Sequence, residues 1–170
     1  MTPLLTQFCS LSYTLEDLYR RLGLLESFFE SKLYVTSTDT LSVRECFSRV
    51  AHVDAYGDDV AVCMRLSDEV WNFFTRENIT GALSELKKEI DLLPKLDVYV
   101  PIVFDEEAKA HVGTWVRSNV DVRIMLRIHV DPHTVGGCQF AYHDTIHTDT
   151  LRTRMEAQRG VVTSLLASYA

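Results

Sequence analysis

Apolar residues recur at spacings of three and four along roughly the first ninety-five positions, and at a spacing of two beyond them. In the first part, Leu15, Leu18, Leu22, Leu25 and Phe29 share one face of a helix predicted over residues 14–32. Glu16, Arg20, Glu26 and Glu30 lie off that face. Thr14 with Asp17, and Ser42 with Glu45, stand at capping-box spacing and predict helix starts there. Residues 35–38 read as a β-branched linker, and residues 54–59 as a turn around Gly57. A short helix over residues 60–66 is expected next, then one from Ser67 whose first turn carries Asp68 and Glu69. Ile79, Leu83, Leu86, Ile90 and Leu93 form the last helical stripe, ended by Pro94.

The second part begins with a predicted strand over residues 97–104, where Pro101 marks an edge or a strand end. Asp105 is a candidate N-cap, and Ala108, Val112, Trp115 and Val116 the buried face of the helix that follows. Val122, Ile124, Leu126, Ile128 and Val130 then alternate strictly, as a strand with one buried face does. Asp131-Pro132 stops that run. Gly136-Gly137, a short run of Cys138, Phe140 and Tyr142, a polar hairpin-like segment and a helix from about Thr148 complete the chain. The expected class is α+β: an N-terminal helical bundle over residues 1–95 and a small C-terminal β-α-β-β-α domain over residues 96–170.

That C-terminal order carries a signature. Val130, Asp131, Pro132, Val135, Gly136, Gly137, Asp144, Ile146, Thr150, Arg152, Arg154 and Met155 resemble the C-terminal pattern of the ATP synthase delta subunit, the oligomycin-sensitivity-conferring protein family. The spacing from Gly136 to Met155 needs no gap. Thr148 and Thr150 stand where that family usually has Asp and Ser, His143 where it often has Gly, and His147 where it has an apolar residue. The family's opening helix motif has no counterpart here.

The resemblance implies a noncatalytic stator subunit of an F-type ATP synthase. Its bundle would receive helices of the head's alpha subunits, and its C-terminal domain the b subunits of the peripheral stalk. The expected head surface is Leu15, Leu18 and Leu22 beside Val70 and Phe74. The expected stalk surface is Leu151, Met155, Val162, Leu165 and Leu166. Val130, Asp131, Pro132, Gly136, Gly137 and Thr150 are signature residues with a structural role: Asp-Pro starts a turn, and glycine admits positive φ. No cofactor is implied, and the site is the cytoplasmic face of a prokaryotic cell membrane, reached through the complex alone.

Composition narrows the alternatives. A net charge of −7 lacks the basic footprint that nucleic acid requires. There is no Lys/Arg cluster for an anionic membrane, and no run approaches the roughly 20 apolar residues of a span. Residues 1–19 carry no Lys or Arg, unlike a secretory or organellar leader, so an untargeted cytosolic chain is expected. Cys9, Cys46, Cys63 and Cys138 form no C-x-x-C pair and read as reduced structural thiols. No phosphate-binding Gly loop, G-x-S-x-G or dinucleotide fingerprint is present, and adjacent Glu106 and Glu107 point apart on a helix. Two other readings stay open. His129, His133, His143 and His147 fall within nineteen residues, near Cys138, Asp131, Asp144 and Asp149, and could form a metal-binding domain. The other is a helical adaptor unrelated to ATP synthase, which rests on the divergent first 95 residues.

Overall fold

The computed structural model describes residues 2–34, 42–51, 57–74 and 78–168. They divide into two compact units, Met1–Leu93 and Pro94–Ala170. The expected linker at residues 35–38 lies outside the described residues, as does most of the turn before Gly57.

The first unit is helical among its described residues: α1 (Pro3–Leu11), α2 (Leu15–Tyr34), α3 (Val43–Ala51), α4 (Gly57–Cys63), α5 (Asp68–Phe73) and α6 (Ile79–Asp91). Local capping sets two of the starts. Thr14 Oγ1 accepts from the Asp17 amide at 3.1 Å and donates to its carboxylate at 2.6 Å. The Ser42 amide and hydroxyl both donate to Glu45 at 2.9 Å. The predicted stripes become the core, with Leu18, Leu22, Leu25 and Phe29 of α2 and Ile79, Leu83, Leu86 and Ile90 of α6 all buried. Phe28, Phe47, Trp71 and Phe74 extend it, with tilted or edge-on rings 5.1–6.3 Å apart. Each fully buried Leu or Phe side chain contributes about 1.5–3 kcal/mol.

Two features of this unit differ from expectation. The chain is helical from Pro3 rather than from residue 14, because Thr2 caps the Leu5 amide and Pro suits the first turn. Charge is also buried inside the bundle. Asp59 accepts from Arg20 and, at 2.8 Å, from Arg21, whose other donors meet the Leu11 carbonyl and Ser12.

The second unit is built on a four-stranded sheet of order β2-β1-β3-β4. Its elements run β1 (Lys95–Val100), α7 (Glu106–Asn119), β2 (Met125–Val130), β3 (Gly137–Tyr142), β4 (Thr145–Thr150), α8 (Leu151–Ala157) and α9 (Arg159–Ser168). β1 pairs in parallel with β2 and antiparallel with β3. β1 is therefore central, and Pro101 marks its end, not an edge. Asp105 caps α7 by accepting from the Ala108 amide at 2.8 Å. Leu96, Val98 and Val100 pack with Val116, Ile124 and Leu126, and Phe104, Val112, Ile128, Cys138, Phe140 and Tyr142 join them.

The α+β class stands, with the second unit β-α-β-β-β-α-α rather than β-α-β-β-α. The segment read as a polar hairpin is the strand β4. It is exposed everywhere but Thr150, so it has no buried face to impose alternation. The final helix is divided at Gln158. Trp115, expected on the buried face of α7, is 60% exposed, while Gly113 takes the inward position beside Val116. Val122 precedes β2 and is exposed.

Candidate functional site

Three places in the fold combine chemistry with exposure, and each lies within one unit. The first is the signature. Asp131 closes a turn by accepting from the His133 amide at 3.0 Å and the Thr134 hydroxyl at 3.1 Å. Its own amide donates to the Val100 carbonyl at 2.8 Å, tying the turn to the end of β1. Gly136 and Gly137 then adopt φ of 67° and 82°, a region that disfavours side chains. The Gly136 carbonyl accepts from the Leu151 amide at 3.1 Å, and Thr150 caps α8 through the Thr153 amide at 3.2 Å. Asp131, Gly136, Gly137 and Thr150 thus fasten β2, β3 and α8 together. Pro132 lies in the turn, and Val130, at the end of β2, is half exposed.

The second place is the surface that the signature leads into. Leu151 and Met155 on α8, and Leu165 and Leu166 on α9, are 48–67% exposed, and Val161 is exposed beside them. The Val162 side chain lies outside the described residues. No residue of α8 is buried. The charges on α8 are satisfied within the chain: Arg154 grips Asp149 with two bonds of 2.6 and 2.7 Å, and Arg152 meets Glu156 at 3.0 Å. The Arg154 hydrogen bond holds the Asp149 carboxyl below the usual carboxylate range. Beside these paired charges, α8 and α9 thus expose an apolar component made of Leu151, Met155, Val161, Leu165 and Leu166.

The third place corrects the expected head surface. Leu18, Leu22, Val70 and Phe74 are buried in the bundle core, and Leu15 is half-buried, so together they form no free face. Helical periodicity marks the side facing the core, and in α2 that side is already filled. An open apolar surface lies instead between α1, α5 and α6, in a groove of about 300 Å³. Leu4, Val70, Phe73, Ala82 and Leu86 form its apolar lining, with Phe73 49% exposed. Glu69, Glu85 and Glu89 line it as well. The walls are held by side chains. Gln7 and Ser67 exchange two hydrogen bonds of 2.9 and 3.2 Å, joining α1 to the start of α5. Thr2 donates its hydroxyl to Glu89 at 2.9 Å, joining α1 to α6. This groove was missed in the sequence. Its lining at positions 82, 85 and 89 of α6 sits beside the core stripe to which Leu86 belongs, and only the docking of α1 makes it concave.

The histidines do not converge. His129 lies on the sheet face opposite α7, bonded to Asp97 at 2.7 Å and stacked on Tyr99 with centroids 4.7 Å apart. His147 stacks on Phe140, which faces the core of this unit. His143 occupies the β3–β4 turn with φ of 52°. Among the described residues, no group of three or more His, Cys, Asp or Glu side chains is placed to hold a metal ion. Burial raises the Asp97 carboxyl, but hydrogen bonds from His129 and Arg127 outweigh it and hold the group below the usual range. Burial pushes the Cys63 thiol up to about 12, which leaves it protonated and unreactive at neutral pH.

No family model matches the chain, and no curated protein matches it. No helix among the described residues is long and apolar enough to cross a membrane.

Proposed function

We propose that this chain is a noncatalytic stator subunit of an F-type ATP synthase, tying the alpha subunits of the catalytic head to the b subunits of the peripheral stalk. The observation that carries the proposal is the run from Asp131 to Leu166. The signature residues build a tight strand–turn–strand, and the helices directly behind it expose Leu151, Met155, Leu165 and Leu166. A protein that resists rotor torque needs apolar contact area more than isolated surface ion pairs, which are worth little.

On this reading α8 and α9 receive the stalk, and the groove between α1, α5 and α6 receives a helix of the head. Helix-in-groove docking suits both surfaces. The subunit performs no bond chemistry and needs no cofactor. It reaches the cytoplasmic face of the membrane only through the complex, and its contribution to proton-driven synthesis is mechanical. Charged substitutions at Leu151 and Leu165 test the stalk assignment. A folded L151D/L165D variant is expected to leave ATP hydrolysis by the free head intact and to abolish proton-driven synthesis. Unchanged synthesis would remove α8 and α9 from the proposal.

A further inference from the structure

We infer that the groove between α1, α5 and α6 selects its helix by charge, taking an amphipathic helix whose apolar stripe is flanked by Lys or Arg; this rests on the stator proposal and specifies what the bundle binds. Three carboxylates line the groove, from Glu69, Glu85 and Glu89, and no Lys or Arg lines it among the described residues. Glu89 is occupied by Thr2. The Glu69 and Glu85 side chains are exposed, and neither carboxylate holds a hydrogen bond or ion pair with a described residue.

Glu69 belongs to the α5 wall and Glu85 to the α6 wall, so an occupant meets acid from both sides. Leu4, Val70, Phe73, Ala82 and Leu86 supply the apolar part of the same lining, with Phe73 half exposed. A helix seated on that lining removes water from the two carboxylates. Cations on its flanks then compensate the lost hydration, whereas acids on its flanks add repulsion to it. The lining of α6 from Ala82 to Glu89 covers about two helical turns, which sets the shortest occupant. On α8, by contrast, Arg152 and Arg154 are already paired with Glu156 and Asp149.

The test uses the full chain and two synthetic helices of about four turns, one with a Leu/Phe stripe and Lys flanks, the other with Glu in place of every Lys. Binding is read by fluorescence anisotropy. The Lys helix is expected to bind at least about tenfold tighter than its twin at low salt. That preference is expected to shrink as salt rises from about 0.01 to about 1 M and the screening length falls from roughly 30 to 3 Å. In E69K/E85K, which alters two exposed side chains and leaves the Thr2–Glu89 bond in place, the preference is expected to invert. Equal affinity for both helices, no binding of either, or a preference untouched by E69K/E85K would overturn the inference. Co-purification with ATP synthase subunits combined with equal peptide affinities would retain the stator proposal and reject charge selection. A charge preference without co-purification would reject the stator proposal alone.

Discussion

A methyl group at position 137 would sit 2.1 Å from the Asp149 carbonyl oxygen and 2.9 Å from the Thr150 Cα, with φ already at 82°. Gly137→Ala is therefore expected to destabilise the second unit by about 2 kcal/mol or more, read as a lower urea midpoint at unchanged slope. Thr150 carries a smaller, local load. Thr150→Ala removes the cap of α8 at a cost of about 1 kcal/mol and should reduce amide-exchange protection in α8 more than in β1. In the bundle, Asp59 is the residue with most at stake. Asn at this position leaves Arg21 buried without its counter-charge, a loss of about 3–5 kcal/mol. Burial raises the Asp59 carboxyl, but Arg20 and Arg21 outweigh it and hold the folded-state pKa below the ordinary value. Its contribution is then fully present above the unfolded value, about 3.9, and is lost as pH falls through the folded one. D59N should show a shallower loss of stability below about pH 4 than the parent chain.

At the scale of elements, what was legible in the sequence was local or faced a core. The Thr14–Asp17 and Ser42–Glu45 caps are contained in four residues each, and the α2 and α6 stripes match buried faces. Ile124, Leu126 and Ile128 alternate because one side of β2 packs beneath α7. β4 escaped because an edge strand open on both faces needs no alternation. The Arg21–Asp59 pair escaped because it joins positions 38 apart in sequence, and nothing local distinguishes it from two surface charges. The proposed docking surfaces divide in the same way. Leu151, Met155, Leu165 and Leu166 were legible as a stripe, and their exposure distinguishes them from the core residues Leu18 and Leu22. The groove depends on α1 being fastened to α5 and α6 by Gln7 and Thr2, a long-range arrangement. L151D/L165D should accordingly melt within about 0.5 kcal/mol of the parent, since exposed positions contribute little to folding.

At the scale of the whole molecule, each unit carries its own hydrophobic core and, beyond it, exposed apolar side chains. A connector needs both: a self-sufficient core in each unit, so that partner contacts are free to bear load, and apolar area beyond what folding consumes. The most direct test is to purify the tagged, full-length chain from native membranes solubilised in mild detergent, from cells that contain an F-type ATP synthase, and to identify what accompanies it by mass spectrometry. Recovery of the alpha, beta and b subunits in stoichiometric amounts is the result predicted for a stator. Their absence, with the chain folded and present, would contradict it and leave an adaptor that shares only the fold of this signature.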